Sequence, residues 1–353
     1  MKRFNQIRSM SNLKEVAKKA GVSVGTASAV FNGKNWVSND LRLRVLKAAK
    51  EFNYRPNRIA RNLRSNTTNT IGVLVTNINS PFFSQIMKVL SYECHKNGLN
   101  LFFSDTNCDE NIIIKSLNDF LEHKVDGIIL LGIDTREQLL RDILFDVELP
   151  IISIEGNYSI ENMDYIQADA FQGGYIATKH LLELGYYPIS IITGPLNPEE
   201  KILRKNGWGR FKGYLKALED KGVVYNPEYS YKGNFLFDDG VKAIEYFLTL
   251  NPLPRAIFAS NDMMAINAMQ AIKEKGLRVP EDIAIVGFDD IPAASFISPA
   301  LTTVRLPQKL LGNLAVDILM SRLQGKSAIP LRKVLPVEIV VRESCGLYLG
   351  EKR

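Results

Sequence analysis

The sequence predicts an N-terminal all-α helix-turn-helix headpiece followed by an α/β body made of two Rossmann-like subdomains. Charge is one sign of this: residues 1–66 hold 15 Lys/Arg against 3 Asp/Glu and the remainder 29 against 35, so a head of +12 precedes a body of −6. Periodicity is the second, because three short helical patterns fill the head, whereas after Thr70 short apolar runs alternate with longer helical patterns. Length is the third, since 353 residues at 46% hydrophobic exceed what one core needs.

In the head, Leu13, Val16, Ala17 and Ala20 fall at i, i+3, i+4 and i+7, which predicts a helix over 13–20 stopped by Gly21. Ser23 is a good N-cap for a second helix running to about Asn32, ended by Gly33. Ser38 caps a third, with Leu41, Val45, Ala48, Ala49 and Phe52 as one apolar stripe and Arg42, Arg44, Lys47 and Lys50 on the other face. Three short helices with a glycine turn between the first two form a helix-turn-helix, and the basic balance is the footprint of a nucleic-acid partner. In the second helix Ala27, Val30 and Phe31 are expected to face the core. Val24, Gly25, Ser28 and Ala29 then face outward, small enough for the helix to sit deep in a major groove.

LKEVAKKAGVSVGTASAVFNGK and VSNDLRLRVLKAAKEFNYRPNRIARNLRS resemble, without a gap, the DNA-binding headpiece of the lactose-repressor/galactose-repressor family of bacterial transcription regulators. The resemblance implies a homodimer on a palindromic duplex operator, with candidate contacts Ser23, Val24, Gly25, Thr26, Ser28, Ala29 and Asn32. This chain has Gly25 and Ala29 where the family often has large polar residues, so direct base readout by this helix is expected to be weak. Asn57 to Arg64, behind Pro56, allows only about two helical turns, too few for a stable isolated helix. In the family the matching segment folds on the operator and drives a leucine into the minor groove. By position that leucine is Leu63, with Asn57, Arg58 and Ala60 as further contacts. The expected domains are a headpiece over 1–56, a hinge and linker over 57–69 and a body over 70–345, with a tail over 346–353.

In the body TIGVLV, LNLFFS, VDGIILLG, PIISIE, ISIITG, RAIFAS and IAIVGF read as buried parallel strands. They are spaced by helices expected over 82–97, 112–123, 173–184, 208–221, 238–250 and 263–275. GYIATKHLLELGYYPISIITGP, FASNDMMA, RVPEDIAIVGFDD and SPALTTVRLP are similar to the periplasmic-binding-protein-like effector domain of the same family. That similarity implies crossovers near 165, 297 and 330, hence one subdomain of 70–165 and 298–330 and another of 166–297 and 331–345.

A cleft between such subdomains takes small ligands at strand C-termini. The resemblance places Phe82, Phe83, Arg210 and Asp262 there, with Trp208 beside Arg210 and with Asp105, Phe235 and Asp289 as further liners; Asp262 is also expected to cap its helix. Where the family often has Asp-Asn, this chain has Ala168-Asp169. Aromatic faces with Arg and Asp favour a sugar or sugar derivative, with a purine or nucleoside as the alternative.

An enzyme is not expected: GxGxxG and Walker A motifs are absent, and the one GxSxG-like opportunity fails because no serine stands in a nucleophile elbow. His95, His123 and His180 have no nucleophile or metal partner in view, and Cys94, Cys108 and Cys345 lack metal or disulfide spacing, so neither cofactor nor metal is expected. A solute-binding protein for transport would fit the body but not the basic head. Without a signal-peptide h-region or a membrane-length apolar run, a cytoplasmic protein is expected.

Overall fold

The computed structural model describes residues 12–54, 67–156, 160–196, 205–326 and 329–346. The chain forms two compact units, 1–68 and 69–353. In the first, α1 (Leu13–Ala20) starts with a capping box: Asn12 Oδ1 accepts the Glu15 N–H at 3.0 Å and Glu15 Oε2 accepts the Asn12 N–H at 3.1 Å. Gly21, at φ +64°, turns the chain in the left-handed conformation that glycine tolerates best. Then follow α2 (Val24–Phe31) and α3 (Asn39–Glu51), capped by Ser23 and Ser38. Val16, Ala17, Ala20, Ala27, Val30, Val45 and Ala48 close a small core. Phe52, expected on the α3 stripe, lies past the helix end as its C-cap and is 40% exposed.

The second unit holds two six-stranded sheets. The first contains β1 (Thr70–Val75), β2 (Asn100–Asp105), β3 (Gly127–Leu131), β4 (Ile151–Ile154), β5 (Met163–Ala168) and, from far along the chain, β11 (Arg332–Leu335), in the order β11-β5-β4-β3-β1-β2. The second contains β6 (Ile189–Thr193), β7 (Ser230–Lys232), β8 (Ala256–Ala259), β9 (Ala284–Asp289), β10 (Thr302–Arg305) and β12 (Glu338–Val340), in the order β12-β10-β9-β8-β6-β7. All pairs are parallel except β10 with β12. Alternate residues of β1 feed opposite faces: Ile71, Val73 and Val75 join one apolar cluster and Leu74 another. Covering helices include α4 (Pro81–Lys96), α5 (Glu110–Glu122), α6 (Glu137–Leu144), α7 (Ala170–Glu183), α8 (Lys205–Asp220), α9 (Asp239–Phe247), α10 (Asp262–Glu274) and α11 (Gln308–Leu323).

The chain passes between the sheets three times: from β5 into α7, from β10 into α11, and from β11 into β12. Each crossing falls later than the expected 165, 297 and 330. The reason is local: MDYIQA, TTVR and RKVL mix polar with apolar residues, so β5, β10 and β11 do not stand out as buried runs. The crossings are tied to one another, Asp169 N–H to Leu335 O at 2.9 Å and Arg305 Nη1 to Glu338 Oε1 at 2.9 Å.

Candidate functional site

On the headpiece, Ser23 Oγ accepts the Thr26 N–H at 3.0 Å and shares a 2.9 Å hydrogen bond with Thr26 Oγ1, so both polar groups begin α2 rather than project freely. Val24 is 38% exposed and Gly25 is exposed. A Cβ at Gly25 would meet only Ser23 Oγ, at 3.6 Å, so no internal packing demands glycine in this helix, where it costs about 1 kcal/mol relative to alanine. Half-buried Ser28 accepts from Asn32 Nδ2 at 3.4 Å. Ala29 departs from expectation: it is buried, in the three-helix core, because the chain turns back after Gly33 and Lys34 N–H bonds to Ala29 O at 3.1 Å. Asn57, Arg58, Ala60 and Leu63 lie outside the described residues.

In the body, both sheets run in the doubly wound order 2-1-3-4-5 through their first five strands, and the loops beyond their C-terminal strand ends meet around a cavity of about 400 Å³. From the first sheet come Thr76, Asn77, Asn107, Asp134 and Glu155, with Phe82 and Phe83 at the start of α4. The two phenyl rings meet edge-on, centroids 5.1 Å apart. From the second come Arg210, Asn234, Phe235, Asn261 and Asp289. Five lining residues hold positive φ without being glycine: Asn107, Cys108, Glu155, Phe235 and Asp289, at φ +46°, +62°, +57°, +61° and +119°. Strain of that kind costs about 1–3 kcal/mol per residue and collects where side chains must be aimed.

Arg210 is the buried centre of the second wall. Its helix packs against α7 so closely that a Cβ on Gly174 would strike the Arg210 carbonyl. The guanidinium lies 4.0 Å from the Phe288 ring centroid, and Nη1 donates to Ser260 O. Nη2 stands 3.8 Å from Asp289 Oδ1, too far for a hydrogen bond, and both Arg210 Nε and Asp289 Oδ1 are buried without a hydrogen-bond partner. Both residues line the cavity with their remaining polar atoms, although these two atoms are themselves shielded from it. Burial raises the Asp289 carboxyl well above the usual carboxylate range, against the pull of Arg210. Burial likewise pushes Glu155 up to about 7, although the Ala168 N–H, donated at 2.6 Å, and Arg210 pull it down.

Of the expected ligand residues, Phe82, Phe83, Arg210, Phe235 and Asp289 line this cavity, and three do not. Asp105 accepts the Ile78 N–H at 3.3 Å beneath the rim. Trp208 packs on Phe211, ring centroids 5.9 Å apart. Asp262 is fully buried, accepting from Thr303 Oγ1 at 2.5 Å and from Ile291 N–H at 2.8 Å. Asn261, not Asp262, caps α10, taking the Met264 N–H at 2.7 Å, and it also lines the cavity. Thr76, Asn107, Glu155, Asn234 and Asn261 were not foreseen, although each follows a strand closely, where an α/β fold exposes its ligand groups. Asp169 caps α7 by accepting the Gln172 N–H at 2.9 Å. None of His95, His123 and His180 lines the cavity.

Residues 12–57 match the profile of bacterial regulatory proteins of the lacI family, and residues 178–345 that of a periplasmic binding protein-like domain. The chain is 37% identical over 335 residues to the ribose operon repressor of Haemophilus influenzae, covering 95% of this chain and 98% of the relative. Identity is also 37% to the HTH-type transcriptional repressor PurR of Pasteurella multocida, with the same two coverages. Among solved structures, a lac repressor dimer bound to operator and the anti-inducer ONPF superposes with a TM-score of 0.83 at 28% identity, covering 95% of this chain and 99% of that one. No helix among the described residues is long and apolar enough to cross a membrane.

Proposed function

The chain belongs to the lacI family of bacterial regulatory proteins, and on that premise we propose that it is a dimeric transcriptional repressor of the bacterial cytoplasm, binding a palindromic operator and answering to a sugar or sugar derivative held in the cleft. The observation that carries the effector reading is the cavity at the strand C-termini, where Arg210 and Asp289 stand among the Phe82, Phe83 and Phe235 rings. A sugar satisfies both groups with neighbouring hydroxyls while its apolar face lies against the phenyl rings. The ribose operon repressor among the relatives supports the sugar, and PurR, at the same identity and coverage, keeps a purine or nucleoside as the alternative. For DNA, Val24, Gly25, Thr26 and Ser28 form the small surface that enters the major groove, and Leu63 is the minor-groove wedge. Ligand binding favours one arrangement of the two subdomains, and a differential of about 1–3 kcal/mol changes operator affinity 5- to 150-fold.

Selection of sites from a random duplex library, with and without a pool of sugars and nucleosides, tests this. A two-fold palindrome whose enrichment changes with the pool is expected. Failure to enrich any duplex in either condition would remove the DNA-binding reading. In the same assay Arg210→Ala should abolish the response to the pool.

A further inference from the structure

We propose that Asp239, a buried residue that does not itself line the cavity, is the positioning residue that aims the Phe235 ring at the effector. This rests on the effector reading above and adds to it a residue on which recognition depends.

Asn234, Phe235 and Leu236 are three consecutive lining residues of the cavity, on the loop between β7 and α9. Packing does little to hold this loop, since Asn234 and Leu236 are exposed, as are Phe237 and Asp238 after them. One carboxylate oxygen holds it instead. Asp239 Oδ2 accepts the Asn234 N–H at 2.6 Å and the Leu236 N–H at 2.9 Å, the two amides on either side of Phe235. The Asp239 N–H returns a bond to Leu236 O at 3.2 Å. Phe235 stands between these bonds at φ +61°, a conformation that a phenylalanine keeps only where its surroundings impose it. Asp239 is the first residue of α9, yet its carboxylate serves the loop before the helix.

Both the carboxylate and the ring have fixed seats. Asp239 is 4% exposed, and a Cβ on Gly233 would stand only 2.7 Å from its Oδ2, so the chain passes this close to the carboxylate because glycine is there. A Cβ on Gly194 would overlap Phe235 Cε2 and Cζ, and one on Gly207 would touch Cζ at 3.4 Å, so the ring lies in a slot between two glycines. There its centroid is 5.6 Å from the Arg210 guanidinium. The ends of the loop are tied without Asp239, by the Gly233 N–H to Thr193 O at 3.0 Å and by Asn267 Nδ2 to Phe237 O at 2.6 Å. Its middle has one other bond among the described residues, a long one from Asn261 Nδ2 to Phe235 O at 3.5 Å. Loss of the Asp239 carboxylate therefore lets the strained residue relax and carry the ring out of its slot, while the loop stays anchored at both ends.

The test uses the full chain and begins without ligand. In hydrogen–deuterium exchange, Asp239→Ala should speed exchange over 233–237 at least about tenfold and leave β6 and α10 as in wild type, while Asp239→Asn, which keeps an amide oxygen in the same place, should stay within about threefold. Titration calorimetry with D-ribose, cellobiose, guanine and adenosine then finds the probe that wild type binds. For that probe Asp239→Ala should lose at least about tenfold in affinity and Asp239→Asn less than about threefold. Gly194→Ala, which displaces the ring but leaves the Asp239 bonds in place, should weaken the probe as Asp239→Ala does while exchange over 233–237 stays normal. On a Phe235→Ala background Asp239→Ala should weaken the probe by less than about threefold more, because the first residue acts through the second. Unchanged exchange over 233–237 in Asp239→Ala would overturn the proposal, and so would a full further loss of affinity on the Phe235→Ala background. If no probe binds wild type, the effector reading fails for these sugars and purines, and exchange alone decides whether Asp239 holds Phe235.

Discussion

Replacing Glu155 by Gln should make the body more stable at pH 8 and leave it nearly unchanged at pH 5. Burial raises the Glu155 carboxyl from 4.5 to about 7 in the folded protein, so the folded state holds its proton more tightly than the unfolded chain does. Stability from that proton is fully present below about pH 4.5 and is lost as pH rises through about 7. With each pH unit of difference worth 1.36 kcal/mol, the loss is about 3 kcal/mol. Gln cannot ionise and escapes this loss. Urea unfolding followed by tryptophan fluorescence, at pH 5 and pH 8 with both proteins, reads it directly, Trp208 being in the body. The expected gain of the variant is about 3 kcal/mol at pH 8 and less than about 1 kcal/mol at pH 5. The variant's stability will still fall as pH rises, because Asp262 is raised by burial in the same sense, to about 7. A variant no more stable than wild type at pH 8 would refute the reasoning, since it would mean that Glu155 ionises inside the fold without penalty.

Asp164→Ala should destabilise the body by about 1–3 kcal/mol in the same denaturation assay, because it takes the acceptor from the half-buried Arg322 guanidinium and from the Leu331 N–H. Asp164, 2% exposed at its side chain, takes Arg322 Nη2 at 2.6 Å, Arg322 Nε at 2.9 Å and the Leu331 N–H at 2.7 Å, joining β5 to α11 and to the approach of β11. Ser23→Ala should cost the headpiece about 1 kcal/mol, read from its melting followed by circular dichroism, since it removes the acceptor for the Thr26 N–H.

What was legible in the sequence follows physical lines. TIGVLV and IAIVGF announce themselves because parallel strands covered on both faces must be apolar throughout, and Gly21, Ser23 and Ser38 mark helix ends because few residues serve there. β5, β10 and β11 carry polar residues at the subdomain junction, so the sequence pattern puts the crossings earlier than they fall. Arg210 and Asp289 were readable by resemblance, but the exclusion of Asp262 was not: an acid after a strand looks the same whether it faces a ligand or is consumed by Thr303 and the Ile291 N–H. The burial of Ala29 is not legible from helical periodicity, which takes no account of the loop that folds back over it. Glu155 was hidden as the last residue of PIISIE, although its place just past β4 is where a doubly wound sheet presents its chemistry.

Three crossings tied side by side also decide how the body can move. One connecting strand would act as a swivel, free to twist and slide; three, cross-linked by Asp169 to Leu335 and by Arg305 to Glu338, work as a piano hinge with a single axis. The two lobes can open and shut but have little freedom to rotate in any other sense. A small molecule bridging the walls therefore spends its energy on one coordinate, and a slight change of angle at the hinge is carried to the far edges of the lobes as a larger, reproducible displacement.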